Sequence, residues 1–292
     1  APMMKKWQNS LAENYSNAYI RNIYGLFQKS LDLAVKLGLL NKNVAKQVGN
    51  VKKQKKKIDF WTQNEFEKVI STFDISDYYE HYTFIIIWLL FMTGLRLGEA
   101  QALEWTDIDF ENKTLTVSKS MYYKSANEFY VTEPKTRAGN RTIALDDVTI
   151  QYLAEWKSVQ GKNVFSKYVL SYNGLPTNKS TTKHIIERHS KLAGVHTIKT
   201  HALRHSHASL LISLGENAIV VRDRLGHEDV ETTLGTYGHL YPNTNIEVAK
   251  KLNNLISVKK DDTITRNFIS NQFVKNRQSG CNNISLDCEE KK

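Results

Sequence analysis

The stretch "HALRHSHASLLISLG" (201–215) places three histidines and an arginine within seven positions at the start of an apolar helix. His201 and Arg204 stand three residues apart, so their side chains project from the same helical face. We predict that Thr200 caps this helix and that His201 begins it. The free amides of a helix N-terminus, a guanidinium and an imidazole together favour a phosphate site. A metal site and chance surface composition are the alternatives.

The metal alternative depends on the spacing of the histidines. His201 and His205 stand four residues apart, as zinc ligands do on a metalloprotease helix, but the glutamate that such a helix carries between them is missing. Arg204 would repel a cation placed there. We therefore expect no metal and no other cofactor, and we expect His205 and His207 to pack within the helix layer or to face solvent.

Charge indicates the class of partner. The 292-residue chain carries a formal net charge of +10, and its pI of about 9.3 makes a polyanion the first partner to consider. The charge is concentrated at the start, because residues 1–57 hold twelve lysines and arginines against Glu13 and Asp32. This asymmetry favours a segment that faces nucleic acid. A solvated, lysine-rich surface is the alternative explanation.

Two further features bear on the cell compartment. The two cysteines, Cys281 and Cys288, form no CxxC pair, which argues against a disulfide framework or structural zinc and fits a reducing cytoplasm. The longest apolar run, "FIIIWLLFM" (84–92), is too short to span a bilayer, so we expect a buried helix and no membrane partner.

The first part of the chain, residues 1–57, is predicted to be helical and to end in a basic linker. Apolar residues recur at helical spacing between residues 9 and 40. The stretch "VKKQKKKIDF" (51–60) cannot form a core, and a capping box of Thr62 and Glu65 then begins a new helix. The lysines expected to contact DNA are Lys52, Lys53, Lys55, Lys56 and Lys57.

The second part, residues 58–258, combines helices with a short region of strands. Between residues 113 and 145 polar and apolar residues alternate, which predicts a small antiparallel sheet with "RAGN" (137–140) as a turn. Helical periodicity returns afterwards, and residues 259–292 form a polar tail. The predicted fold class is mainly α with a small antiparallel β-sheet (α+β).

Three further motifs complete the candidate site. "TGLRLGEA" (93–100) contains Arg96 and Glu99; "LGH" contains His227 after a glycine that can end a helix in the left-handed conformation; and Tyr237 follows ten residues later. Each motif alone is ordinary. Residues 210–226 also fit a helix-turn-helix, so a non-catalytic DNA-binding regulator is an alternative function.

Taken in order, these motifs resemble the tyrosine recombinases, the phage integrase family. "TGLRLGEA" resembles the first signature of the family, "HALRH" and "LGH…TTLGTYGHL" resemble the second, and "EPKTRAGNRTI" resembles its β-hairpin lysine motif. The resemblance covers about residues 60–250, and the basic helical segment before it looks like the core-binding domain of the family. It is strongest to integrases of phages and conjugative transposons of Gram-positive bacteria.

The resemblance implies a set of site residues and their roles. Arg96 and Arg204 would neutralise the charge on the phosphate oxygens. Lys135 would protonate the leaving 5′-oxygen, and Tyr237 would attack the phosphate to form a 3′-phosphotyrosyl link. His201 is the candidate base, and Glu99 would orient the pocket, unless it is a surface carboxylate. The implied catalytic set is Arg96, Lys135, His201, Arg204, His227 and Tyr237.

The resemblance also implies partners and location. We expect double-stranded DNA at the core sites of a mobile element, a homo-tetramer on synaptic DNA, an accessory excisionase or host DNA-bending protein, and a cytoplasmic location at the bacterial nucleoid. Integrases of this sort commonly carry an additional small N-terminal domain that binds arm-type sites, and we expect this chain to be a fragment with the core-binding and catalytic domains. A type IB topoisomerase or a hairpin-forming resolvase shares the chemistry and stays open as an alternative.

Overall fold

The structure, a computed structural model, describes residues 2–53, 58–125, 128–134, 136–241, 249–250 and 252–253. It divides into two compact units, Ala1–Leu240 and Tyr241–Lys292, and the first contains the helices and sheets discussed below. Lys135, Lys55, Lys56, Lys57 and the predicted tail (259–292) lie outside the described residues. The domain boundaries at residues 57 and 258 stay predictions.

The N-terminal segment is helical, as predicted. Its helices are α1 (Pro2–Asn14), α2 (Asn17–Lys36) and α3 (Val44–Val48). Trp7 of α1 packs its ring against Tyr24 of α2, and the buried Tyr24 hydroxyl donates to the Ala45 carbonyl of α3 at 2.9 Å. One aromatic residue therefore joins the three helices. Lys52 and Lys53 follow in a segment without helix or strand, and both are exposed.

A second set of helices surrounds the apolar run noted in the sequence. Helix α5 is buried on nearly all sides and packs against α7, α8 and α9, so the run forms the centre of the core. The capping box of Thr62 and Glu65 at the start of α4 is confirmed. The helices are α4 (Gln63–Ile70), α5 (Tyr78–Thr93), α6 (Leu97–Ala102), α7 (Asp147–Asn163), α8 (Lys179–Ala193), α9 (Ala202–Ser213), α10 (Ala218–Leu225) and α11 (Val230–Tyr237).

The start of α9 differs from the prediction. The residue at the N-cap position is His201, not Thr200, and it makes no side-chain capping hydrogen bond. The reason is a tight turn before the helix, in which the amides of Ala202 and Leu203 donate to the carbonyls of Lys199 and Thr200. Thr200 therefore belongs to that turn, and His201 lies where the turn becomes helix.

The strands form two sheets where the sequence predicted one. Strands β1 (Ile108–Asp109), β2 (Thr114–Val117) and β5 (Arg141–Ala144) form an antiparallel sheet in the order β1-β2-β5. Strands β3 (Ser120–Ser125) and β4 (Glu128–Thr132) pair separately as a hairpin. Because β2 pairs directly with β5, the β3–β4 hairpin between them in the chain does not join that sheet. It packs against α6, where Met121 is buried beside Ala102.

The predicted turn at residues 137–140 is confirmed as a 3₁₀ turn, Arg137–Gly139, that leads into β5. This turn brings the start of β5 close to the end of α10. None of the described helices is both long and apolar enough to cross a membrane. Helix α9 packs against both α5 and α10. The candidate site residues lie where these helices meet.

Candidate active site

Arg204 lies at the centre of the site. It is 2% exposed at the start of α9, and its two terminal nitrogens donate to the carbonyls of Gly94, at 2.7 Å, and Leu225, at 2.6 Å. These carbonyls belong to the ends of α5 and α10. Burial, and then the nearby charge of Arg96, lower the pKa of Arg204 to about 9, so the side chain still carries its charge near neutral pH. One guanidinium therefore fixes the positions of three helices.

Arg96 lies beside it at the start of α6 and is more open to solvent. Its Nη1 donates to Glu99 at 2.7 Å, and its Nη2 donates to the Gly226 carbonyl at 3.1 Å. The side chain is 41% exposed, whereas that of Glu99 is 3% exposed. Arg96 is therefore held from behind by a buried carboxylate and keeps an open face.

Glu99 is shared between two arginines, so it is not a surface carboxylate. Its second oxygen accepts from Nη2 of Arg141 at 2.9 Å, and the Arg141 side chain is 7% exposed. Burial alone would raise the pKa of Glu99, but the hydrogen bond and charge of Arg141, followed by those of Arg96, lower it. Glu99 is therefore an ionised carboxylate at neutral pH and compensates part of the positive charge.

The nucleophile candidate, Tyr237, ends helix α11 and is 1% exposed. Its hydroxyl lies 2.7 Å from Nδ1 of His205. Burial raises the pKa of Tyr237 to about 12, although the charge of Arg204 acts in the opposite direction. Tyr237 is therefore a neutral phenol beside the arginines, and its hydroxyl contacts a histidine that the sequence analysis had left without a role.

His201 and His227 complete the group. The ring of His201 meets that of His205 edge-on, with centroids 5.0 Å apart. Burial, followed by the charges of Arg204 and Arg96, lowers the pKa of both His201 and His227, and that of His227 to about 4. His227 follows the left-handed Gly226, and its Nδ1 lies 2.8 Å from the buried Thr233 hydroxyl. Both rings are neutral at physiological pH.

Two glycines allow this close packing. Gly226 has a φ of +67°, and a Cβ added to it would lie 2.7 Å from the Ala138 carbonyl. Gly94 has a φ of +65°, and a Cβ there would lie 2.7 Å from the His207 ring. Both the backbone conformation and the available space therefore require glycine. The left-handed end of α10 at Gly226 is as the sequence predicted.

The structure thus brings together five of the six predicted catalytic residues, with Glu99 behind them. The sixth, Lys135, lies outside the described residues, and its position in the site stays a prediction. Among the described residues, no group of three or more histidine, cysteine, aspartate or glutamate side chains is arranged to hold a metal ion.

Sequence reasoning missed three residues that support the site. Arg141 pairs with Glu99, and Arg224 donates to Nε2 of His207 at 3.0 Å and to the carbonyls of Ala144 and Met92. His207 is buried in the helix layer, as expected. An arginine in a strand or at a helix end has no distinctive spacing. His205 could have been found, because it lies one turn after His201 on the same face.

The comparisons with known proteins agree with this geometry. Residues 59–244 match the model of the phage integrase family. The chain belongs to this family. Its relatives include the ICEBs1 integrase of Bacillus subtilis (strain 168), which is 35% identical over 82% of this chain and 67% of that protein. The integrase of Staphylococcus phage L54a is 25% identical over 87% of this chain and 79% of that protein.

Solved structures show the same fold. The Tn1549 transposon integrase in complex with transposon right end DNA has a TM-score of 0.72, at 22% identity over 85% of this chain and 84% of that one. A lambda integrase dimer bound to a COC′ core site has a TM-score of 0.60, at 18% identity over 80% and 77%. The chain is therefore a tyrosine recombinase of the type found in phages and conjugative transposons. The family match favours this enzyme class over the alternative of a non-catalytic DNA-binding regulator.

Proposed function

We propose that this chain integrates and excises a mobile element by cleaving and rejoining double-stranded DNA through a covalent 3′-phosphotyrosyl link to Tyr237. The observation that carries the proposal is the convergence of Tyr237 and Arg96 on Arg204, whose pKa is influenced by both groups. A phenol beside two fixed guanidiniums is suited to attack a bound phosphodiester, and no cofactor is needed for this step.

The arginines would neutralise the charge that develops on the phosphate. A guanidinium has five N–H donors, so the two carbonyl contacts of Arg204 leave further donors for nonbridging oxygens. Arg96 has an open face beside them. In this scheme His201 and His227 donate hydrogen bonds to the same phosphate, and Glu99 keeps Arg96 oriented. The role of base for Tyr237, first considered for His201, requires a contact that the structure gives to His205.

The leaving group requires a proton, because a 5′-alkoxide is a poor leaving group. Lys135 is our candidate for the general acid, on the basis of its sequence motif. After cleavage the phosphotyrosyl bond retains the energy of the phosphodiester. A free 5′-hydroxyl from a second duplex can therefore reverse the attack, so that strand exchange needs no ATP.

The proposed partners rest on the charge and on the similar solved structures, which are integrases bound to DNA. We propose that Lys52 and Lys53, together with Lys55, Lys56 and Lys57, contact DNA phosphates. Each lysine that contacts a phosphate should add about one unit to the slope of log affinity against log salt. A homo-tetramer on synaptic DNA, an accessory excisionase or host DNA-bending protein, and a location at the bacterial nucleoid are further parts of the proposal.

The deciding experiment uses a nicked suicide duplex, on which a covalent protein–DNA complex accumulates. Tyr237→Phe should bind the duplex as the unmodified protein does and form no covalent complex. Tyr241→Phe is the matched control, since Tyr241 stands four residues later in the sequence, and it should still form the complex. A covalent complex with Tyr237→Phe and none with Tyr241→Phe would move the nucleophile to Tyr241. Relaxation of supercoils without strand exchange would favour a topoisomerase.

A further inference from the structure

His205 is the residue in the pocket whose contact the proposed scheme does not yet use. Its Nδ1 lies 2.7 Å from the Tyr237 hydroxyl, and the two rings meet at 64° with centroids 5.6 Å apart. No other side-chain hydrogen bond of the phenol is present in the described part of the chain. The contact joins α9, which carries His201 and Arg204, to the last residue of α11.

The surroundings of His205 determine its protonation state. Burial, followed by the charges of His201 and Arg204 on its own helix, lowers the pKa of His205 to about 4. Among the described residues, Tyr237 on α11 is the other titratable group in contact with it. Arg96 acts on His201 from the start of α6, and His201 in turn acts on His227 after α10. The imidazole is therefore neutral at physiological pH, and a neutral ring with Nε2 protonated leaves Nδ1 free to accept the phenol proton.

We propose that His205 is the general base of the cleavage step, which accepts the proton of Tyr237 at Nδ1. This inference rests on the proposed function, because it assigns the base for the attack described there. The geometry supports it directly: the accepting nitrogen already lies at hydrogen-bond distance from the oxygen that must lose its proton, which is the first requirement for a general base.

The Tyr237 O–H bond breaks, and its proton passes to Nδ1 of His205, giving an imidazolium. The phenol oxygen forms a bond to phosphorus, and the P–O5′ bond breaks as the leaving oxygen takes a proton from the general acid. The pKa values keep the proton on Tyr237 until a phosphate is present, because phenol acidity increases only as the oxygen donates electron density to phosphorus. Rejoining reverses each transfer.

The test compares two replacements of His205 in single-turnover cleavage of the nicked duplex. Asparagine places an amide oxygen where Nδ1 stands and can accept a hydrogen bond, but it cannot take up a proton. Phenylalanine removes the acceptor and keeps the ring. His184→Asn on the exposed surface of α8 is the matched control and should cleave at the unmodified rate.

We expect His205→Asn to cleave about a hundredfold more slowly than the unmodified protein at pH 7, in the range that general bases contribute. The rate of His205→Asn divided by that of the unmodified protein should then rise about tenfold per pH unit from pH 7 and approach one near pH 9, because solvent must remove the phenol proton. His205→Phe should show the same trend from a lower rate. A ratio that does not change with pH, or a His205→Asn variant at the unmodified rate, would overturn the proposal.

If His205→Asn does not fold, which thermal unfolding and DNA binding would detect, a second variant still tests the proposal. His205→Ala leaves space for a small base, and added imidazole should restore cleavage in proportion to its unprotonated concentration. Absence of rescue in a folded, DNA-binding His205→Ala would also count against the base assignment. The two proposals fail differently: no covalent complex with the unmodified protein contradicts the proposed function, whereas normal cleavage by His205→Asn contradicts only the role of His205.

Discussion

The arginines and the tyrosine of the pocket are held in different ways. Arg204 is anchored by two backbone carbonyls from two different helices, and Arg96 by a carbonyl and a buried carboxylate. Tyr237 stands at the end of an eight-residue helix and is held by burial and one side-chain contact, to His205. The proposed phosphate-binding side is thus built from several elements at once, while the proposed nucleophile depends on one short helix. The variants below test this difference.

The largest effect is expected for Arg204→Lys. An ammonium on a flexible stem cannot donate to both carbonyls in the fixed geometry of a guanidinium, and it offers fewer donors to phosphate. We expect covalent-complex formation on the nicked duplex to fall at least about a hundredfold, the typical effect of losing one preorganised donor group. DNA binding by gel shift should weaken much less. Near-normal cleavage would show that the carbonyl anchors are dispensable.

The next effect concerns the backbone that supplies those carbonyls. Gly226→Ala forces a side chain into left-handed backbone and against the Ala138 carbonyl, so we expect the free energy of unfolding to fall by about 1–3 kcal/mol. Gly161→Ala is the control, because a Cβ there, in the last turn of α7, meets nothing within 4 Å. It should leave stability unchanged or raise it by about 1 kcal/mol, as alanine favours helix over glycine. Urea unfolding measures both.

A third test uses pH. Burial, and then the charge of Arg224, lower the pKa of His207 to about 3, below the value of about 6.5 for an unfolded histidine. The unfolded state therefore binds more protons between these values, and the free energy of unfolding must fall as pH decreases from about 6.5 towards 3. His207→Asn should reduce this slope by an amount that corresponds to the uptake of up to one proton on unfolding. Urea unfolding at several pH values measures the slope. An unchanged slope would exclude a neutral, buried His207 as one of its sources.

The smallest effect is expected on the tyrosine side, for Thr233→Val. The substitution preserves shape and removes the hydroxyl that contacts Nδ1 of His227. We expect cleavage to slow by about tenfold or less and the free energy of unfolding to fall by about 1 kcal/mol, the typical value for one hydrogen bond. The rate is measured in the same single-turnover assay. A larger loss than that of Arg204→Lys would reverse the ranking of the two sides.

The sequence predicted the chemistry-bearing residues better than their environment. The order and spacing of the motifs predict that Arg96, His201, Arg204, His227 and Tyr237 lie together, because each motif is local, and their role in binding phosphate stays a prediction. The contacts of Arg141 and Arg224 are made between residues far apart in the chain, so no local pattern shows them. His205 was set aside for a related reason: its partner is 32 positions away.

In the secondary structure, too, features that depend on neighbouring residues follow from the sequence, and features that depend on distant contacts do not. Caps and turns that depend on neighbouring residues, such as Thr62 with Glu65 and the left-handed Gly226, follow from the sequence. The separation of the β3–β4 hairpin from the main sheet does not, because alternation of polar and apolar residues gives each strand a face but not a partner. The start of α9 was misplaced because the preceding turn satisfies amides that a capping side chain would otherwise satisfy.

The carbonyl anchors have a consequence for how such an enzyme can change over generations. Arg96, Arg141 and Arg204 together donate to the main-chain oxygens of Gly94, Gly139, Arg224, Leu225 and Gly226. A main-chain oxygen persists through almost every point mutation, since a codon change replaces the side chain and leaves the peptide group in place. The orientation of the arginines is thus inherited with the loops themselves. Surface side chains can therefore diverge while the three arginines keep their orientation.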